Sequence, residues 1–174
     1  HRWVKLLESQ KLRTPNDWRT RFKLGFVYYF LFEEANGRIE LAQRRIKKAK
    51  DRPEEFDKNT IPREKDIIQE RLPLANDYRV KAIYNFKKVA EKTPKNSVNA
   101  WGYAYMAVIK GIEKDWPAAI QLCEQALALA REAPDQRQAL NRLREYVQAL
   151  ILRSFPESEA FRPLAFVGGT ALRF

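Results

Sequence analysis

Three segments of the chain repeat one spacing of apolar residues, and this spacing limits the fold more than any other feature. In each segment an apolar residue is followed by others four and seven positions later: Ala42, Ile46 and Ala49; Ala82, Phe86 and Val89; Ala119, Cys123 and Ala126. Residues with these separations share one face of an α-helix but fall on both faces of a strand. The spacing therefore predicts a chain built from amphipathic helices.

Cap and turn signals divide this chain into helix pairs. Thr14-Pro15-Asn16-Asp17 predicts a helix start with Thr14 as the cap, and Asn36-Gly37 predicts a turn. Pro53 and Pro73 predict breaks. Further candidate caps are Asp77, Ser97 and Asp115. The predicted helices are 18–35, 38–51, 64–72, 77–92, 97–112, 116–133 and 136–153, with a polar loop over 53–62.

The second helix of each pair resembles that of the tetratricopeptide family. That family places a small residue, a bulky one, a small one and a proline at fixed intervals. The stretches AIYNFKKVAEKTPKN (82–96) and WPAAIQLCEQALALA (116–130) are similar to this motif, and Leu24-Gly25-x-x-Tyr28 fits the family's first helix. The resemblance covers about 17–134. A generic helical bundle, whose alanines coincide with the motif, is the alternative.

The resemblance implies an all-α fold, a right-handed solenoid of antiparallel helix pairs. It would contain about three imperfect tetratricopeptide-like repeats and a C-terminal capping helix. We assign residues 1–154 to this repeat domain, with 136–153 as the cap, and 155–174 to an irregular tail. In the family, the first helices line a concave groove that binds a peptide or a protein surface.

Four aromatic residues on the predicted first helices are the candidate groove residues: Trp101, Tyr105, Tyr28 and Tyr29. Trp101 and Tyr105 lie four positions apart, which places them on one helical face. Core packing is the alternative role for these large apolar rings. We expect them to contact a partner.

A basic face is predicted on helix 38–51, formed by Arg44, Arg45, Lys47, Lys48 and Lys50. The whole chain has 33 basic and 22 acidic residues, a formal charge of +11. Basic residues near the end of a helix interact favourably with its dipole, which accounts for part of this cluster. The alternative is an acidic partner: an acidic protein, or else a membrane surface or a nucleic acid.

Residues for catalysis are scarce. His1 is the only histidine and Cys123 the only cysteine, so a disulfide within the chain is excluded. Cys123 occupies a packing position, where an inert thiol is expected. The tail Phe166-Val167-Gly168-Gly169-Thr170 is similar to the entry motif of minimal nucleotidyltransferases, but no carboxylate follows it. We therefore expect no catalytic site, no bound metal, no cofactor and no small-molecule substrate.

These observations predict a non-catalytic protein–protein interaction module, an adaptor, scaffold or assembly factor. It would bind its partner through the concave groove, the basic face or both. Two alternatives stay open: a structural subunit of a larger complex, for which a membrane surface is one location considered, and a nucleic-acid-binding helical repeat. The longest apolar run, residues 24–32, is shorter than the roughly 20 residues of a membrane helix. We expect a cytoplasmic protein, with a peripheral position at a membrane as the alternative.

Overall fold

The computed structural model describes residues 2–92 and 97–132, together with Asn141. Within this part of the chain every regular element is helical and there is no strand, which confirms the all-α prediction. Apart from Asn141, the capping helix predicted at 136–153 lies outside the described residues, as does the tail at 155–174. The elements are α1 (Arg2–Arg13), α2 (Trp18–Asp51), a 3-10 turn (Pro53–Glu55), α3 (Thr60–Lys92), α4 (Ser97–Ile112) and α5 (Trp116–Arg131).

Helix α2 begins where the sequence predicts, but Asp17 is its cap. The Asp17 carboxylate accepts hydrogen bonds from the backbone N–H groups of Arg19 and Thr20, at 3.1 and 3.2 Å. The predicted cap, Thr14, instead donates its hydroxyl to the carbonyl of Gln10 at the end of α1 (3.0 Å). A carboxylate beside the open amides is favoured further by the helix dipole.

Helix α2 continues through Asn36-Gly37, so the predicted turn is wrong. Asn36 Nδ2 donates to Glu40 Oε1 (2.9 Å), one turn further along the same helix. Gly37 is exposed, and glycine in a helix costs only about 1 kcal/mol relative to alanine. The buried stripe of α2 crosses this point without a change of period. Its members are Tyr28, Phe32, Ala35, Ile39, Ala42 and Ala49.

Helix α3 likewise continues through Pro73, so the predicted break there is also wrong. An internal proline removes one helical hydrogen bond and costs about 3 kcal/mol. Pro73 points outward, whereas Ala75 and Ala82 on the other side of the helix are buried. Packing along this inner face offsets the local cost. Asp77, predicted as a cap, lies inside α3 and pairs with Lys81 (2.7 Å).

Helices α2 and α3 form one long antiparallel hairpin. Near the open end, Gly25 lies against Phe86; near the connecting loop, Arg45 Nη1 lies 3.0 Å from Glu64 Oε1. Buried positions on both helices recur at alternating intervals of three and four, the repeat that keeps two helices in contact over many turns. The four helices predicted within 18–92 are therefore two long helices. The helices of each predicted pair do not fold back on one another; instead, α2 packs against α3.

Helix α4 packs antiparallel to α3 at very short range. A Cβ placed on Gly102 would lie 2.9 Å from the backbone oxygen of Phe86, so only glycine fits without movement. Asn99 Nδ2 donates to the carbonyl of Ala90 (3.1 Å), and Arg79 pairs with Glu113 at the other end of the contact. Residue numbers thus fall along α3 as they rise along α4.

Helices α4 and α5 form a second antiparallel pair through small residues. Ala104 packs with Ala126, and Ala100 packs with Ala130. Alanine at these positions lets two helices approach closely. The predicted start at Asp115-Trp116-Pro117 is confirmed, since the Asp115 side chain caps α5 by accepting from the backbone of Ala118 (3.4 Å).

Candidate interaction surfaces

The four predicted groove residues occupy different environments. Tyr28, Tyr29 and Tyr105 are 4%, 6% and 8% exposed, which places them in the hydrophobic core, while Trp101 is half-buried. For the three tyrosines, this position agrees with core packing, the alternative role given for these rings in the sequence analysis. Partner contact by them stays a prediction, and among the four only Trp101 presents a substantial surface.

Tyr28 serves to join three helices. Its hydroxyl donates to Glu8 Oε1 of α1 (2.9 Å), its ring stacks on Tyr78 of α3 at 6.3 Å, and Lys81 Nζ lies 5.5 Å from the ring centroid. Burial and the neighbouring Glu8 carboxylate raise the pKa of the Tyr28 phenol well above its usual value. The phenol is therefore a neutral hydrogen-bond donor, and its role is structural.

Tyr105 of α4 contacts both α2 and α3. Its ring stacks on Phe86 of α3 at 4.9 Å and meets Phe26 and Phe22 of α2 edge-on at 5.0 and 6.0 Å. Burial raises the pKa of Tyr105 to about 12. Trp101 lies one turn away, 6.1 Å from Tyr105.

An aromatic row on α2 continues from this junction to the surface. Phe22, Phe26 and Phe30 are spaced by four residues, and the ring centroids of Phe26 and Phe30 are 4.9 Å apart. Phe30 is 52% exposed. We call these three residues with Trp101 and Tyr105 the aromatic groove, after the groove predicted from the sequence; Tyr105 itself lies in the core. Phe26 and Phe30 are not among the predicted groove residues, although their four-residue spacing places them on one face of the helix.

The basic face lies on the surface of the hairpin. Arg44, Arg45, Lys47, Lys48 and Lys50 are all exposed. Arg45 pairs with Glu64 of α3, whose side chain is only 10% exposed. Lys47, Lys48 and Lys50 form no ion pair with any residue that the structure describes. The structure therefore brings all five predicted cations to one exposed stretch of a single helix.

This stretch belongs to the part of the hairpin that extends beyond α4. The contacts between α3 and α4 run from Ala90 to Arg79, while the basic residues lie opposite the first turns of α3, beside Glu64. We call residues 38–51 and 60–72 the distal hairpin. A long two-helix element holds the cations at a fixed spacing and away from the aromatic groove.

A third surface feature is a cleft of about 280 Å³ between α3, α4 and α5. Its floor is apolar, and its rim carries both signs of charge: Lys87 lies 3.7 Å from Glu91, and Lys110 lies 2.9 Å from Glu113. The hydrogen bond from Lys110 to Glu113 raises the pKa of the lysine. Because these charges neutralise one another, the cleft favours no ligand of a particular charge.

Cys123, the one cysteine of the chain, lies on α5. Cys123 is half-buried, and burial together with the nearby Glu124 raises the pKa of its thiol, which favours the unreactive form. Residues 2–92 and 97–132 contain no cluster of His, Cys, Asp or Glu able to hold a metal ion. The Gly168-Gly169-Thr170 motif lies outside the described residues.

In the described part of the chain, none of the helices is both long and apolar enough to cross a bilayer. The chain matches no known protein family, no curated protein and no solved structure.

Proposed function

We propose that this chain is a non-catalytic protein–protein interaction module, an adaptor, scaffold or assembly factor, that binds an acidic partner through the basic face of α2. One observation carries the proposal: five exposed cations lie within two turns of one helix, and three of them have no ion-pair partner in the described structure.

The helix dipole accounts for only part of this charge. Lys48 and Lys50 lie in the last turn of α2, where a cation stabilises the helix. Arg44 and Lys47 lie before that turn, and the dipole's effect is confined to the first and last turns. The remaining charge is well suited to attract and orient an acidic surface, because complementary charge raises association rates and specificity.

The geometry of the distal hairpin supports the same proposal. The cations project from a helix held by the α2–α3 contact, so a partner would not have to order a loop before binding. The cost of ordering an interface is thereby reduced. The Arg45–Glu64 pair adds a fixed point, since Glu64 is nearly buried and holds the guanidinium against α3.

The aromatic groove is a second contact surface within this proposal. Side chains of α2 and α4 meet at Tyr105, while α3 and α5 both line the cleft on α4. The first helices of the two pairs, α2 and α4, meet one another, and the second helices, α3 and α5, line one cleft. This arrangement supports our proposal of a tetratricopeptide-like solenoid of two helix pairs. Phe30 and Trp101 would then offer apolar contacts beside the charged ones.

A permanent structural subunit is the second candidate function. It is favoured by Trp116 and Ile120 of α5, which are 49% and 60% exposed and lie one helical turn apart. Contiguous apolar patches on a surface mark interaction sites, and these two side chains would form part of such a patch. In that case α5, rather than α2, would form the main contact.

The basic face is tested with two charge-matched triple variants of the full chain. Lys47→Gln, Lys48→Gln and Lys50→Gln together remove three cations from the basic face. The control, Lys58→Gln, Arg63→Gln and Lys65→Gln, removes three exposed cations from the loop and α3 of the same hairpin. Each immobilised protein is presented with a nuclease-treated extract, and retained proteins are compared quantitatively.

We expect a set of acidic proteins retained by the parent and the control but lost by the basic-face variant. Equal retention by all three proteins would contradict the proposal. Binding to a nucleic-acid duplex, strong at 50 mM salt and lost at 200 mM, would favour the nucleic-acid-binding alternative, because counterion release makes such binding steeply salt-dependent.

A further inference from the structure

Helix α1 has an inward face that fixes it to the rest of the fold. Leu7 is 8% exposed and joins the hydrophobic core, against which Val4 also packs. Glu8 accepts a hydrogen bond from Tyr28 (2.9 Å) and pairs with Lys11 one turn along α1. Burial raises the pKa of the Glu8 carboxyl, but the hydrogen bonds from Lys11 and Tyr28 lower it, and the net result is a pKa below the usual value. The helix is therefore held in one orientation.

The outward face of α1 is apolar and cationic at once. Trp3 and Leu6 are 74% and 57% exposed. Arg2, Lys5 and Arg13 are exposed on the same helix. Trp3 and Leu6 are three residues apart, and Leu6 and Arg13 are seven apart, separations that place all three on the same side of the helix.

Among the residues that the structure describes, no carboxylate pairs with Arg2, Lys5 or Arg13. The only acidic residue of the helix is Glu8, which is turned toward Tyr28 and Lys11. Ser9 and Gln10 are exposed and neutral, and Leu12 near the end of the helix is 81% exposed. The exposed side of α1 therefore carries a tryptophan and two leucines, and its only charged residues are cations.

This combination fits a lipid surface better than an acidic protein. A bilayer interface accepts an indole ring at headgroup level and an aliphatic side chain just below it, while lipid phosphates meet the flanking cations. Each lysine or arginine near an anionic leaflet adds to the attraction. An acidic protein surface would satisfy the cations but would offer less to the two largest exposed side chains.

We propose that α1 lies on the surface of a bilayer containing anionic lipid, with Trp3 and Leu6 inserted among the headgroups and Arg2, Lys5 and Arg13 against the phosphates. This binding is independent of the basic face on α2. The inward face of α1 stays docked on the fold through Leu7 and Glu8, so the protein binds the surface without unfolding α1.

The test uses the full chain and vesicles of phosphatidylcholine with or without phosphatidylserine. Binding is measured by co-sedimentation. The variant Trp3→Ser with Leu6→Ser removes the apolar pair of α1, and Val80→Ser with Tyr84→Ser removes an exposed aliphatic and aromatic pair from α3 as the control. A third variant, Arg2→Gln with Lys5→Gln, removes charge from α1 alone. Circular dichroism melts establish that all variants fold.

We expect the parent to bind phosphatidylserine vesicles about tenfold or more tightly than pure phosphatidylcholine vesicles. Both α1 variants should lose about tenfold in affinity, while the α3 control and the triple lysine variant of α2 keep the parent's affinity. The proposal is overturned if the α1 variants bind like the parent, if the α3 control loses as much, or if binding is insensitive to phosphatidylserine. Binding of an acidic polypeptide, rather than vesicles, that is lost with Trp3 and Leu6 would also overturn it.

Discussion

Gly25 of α2 faces the ring of Phe86 of α3 so closely that a Cβ on Gly25 would lie 2.7 Å from the ring carbon Cε1. Phe86 is fully buried and stacks on Tyr105, so a turn of its ring would disturb that stacking. The contact sets the distance between α2 and α3 at the point where α4 joins them. The absence of a side chain at Gly25 thus permits this close approach.

Gly25→Ala should destabilise the protein although alanine is the better helix former. Overpacking costs about 1–3 kcal/mol, which exceeds the gain of up to about 1 kcal/mol in helix propensity. We expect a net loss of about 1–2 kcal/mol in the free energy of unfolding, measured by urea denaturation. An unchanged unfolding midpoint would mean that Phe86 can move away and that the close contact is not a constraint.

Gly37→Ala is the counterpart in the same helix, and we expect it to stabilise the protein. A Cβ on Gly37 meets no atom within 4 Å, so the propensity gain of about 0.5–1 kcal/mol is not offset by a clash. The same urea titration measures it. If Asn36-Gly37 were instead a turn with a left-handed glycine, alanine would destabilise the chain, so the sign of the change distinguishes a continuous helix from two helices.

Pro73→Ala tests the continuity of α3. Proline lacks the N–H that an internal helical position donates and costs about 3 kcal/mol there, while its loss makes the unfolded chain more flexible by about 1 kcal/mol. Pro73 is exposed, so its replacement leaves no cavity. We expect a net gain of about 1–2 kcal/mol in unfolding free energy. A neutral or destabilising result would show that α3 is interrupted at this residue.

Asp17 should make the stability of α2 depend on pH. The hydrogen bond from the Thr20 hydroxyl, together with the backbone N–H groups of Arg19 and Thr20, lowers the pKa of this carboxyl from its usual value. Because the pKa is lower in the folded state, the stabilisation is complete above the unfolded-state pKa near 4 and is lost as pH falls through the folded-state pKa.

We expect Asp17→Ala to cost about 1 kcal/mol at pH 7, and the difference from the parent to shrink below about pH 4. Unfolding is measured at pH 7, 5 and 3. Asp17→Asn is the control, because asparagine caps a helix well but does not titrate. A parent–alanine difference that stays constant across this range would assign the effect to something other than the charged cap.

The sequence predicted the exposure of the basic residues better than it predicted the environment of the aromatic residues. The five cations at 44–50 fall on one exposed stretch because charged side chains rarely leave water, so burial hardly depends on the partner helices. Tyr28, Tyr29 and Tyr105 could not be assigned in this way. An aromatic residue suits a core and a binding groove equally well, and only the helices around it determine which it occupies.

The sequence by itself determined that the described chain is helical, and it located helix starts near Asp17, Ser97 and Asp115, because these properties depend on neighbouring residues and local hydrogen bonds. Tertiary structure decided that α2 continues through Gly37 and that α3 continues through Pro73. The local cost at each is about 1–3 kcal/mol, and burial along a hairpin about 50 Å long exceeds it. The same long contact placed Gly25 against Phe86, a relationship that no local pattern contains.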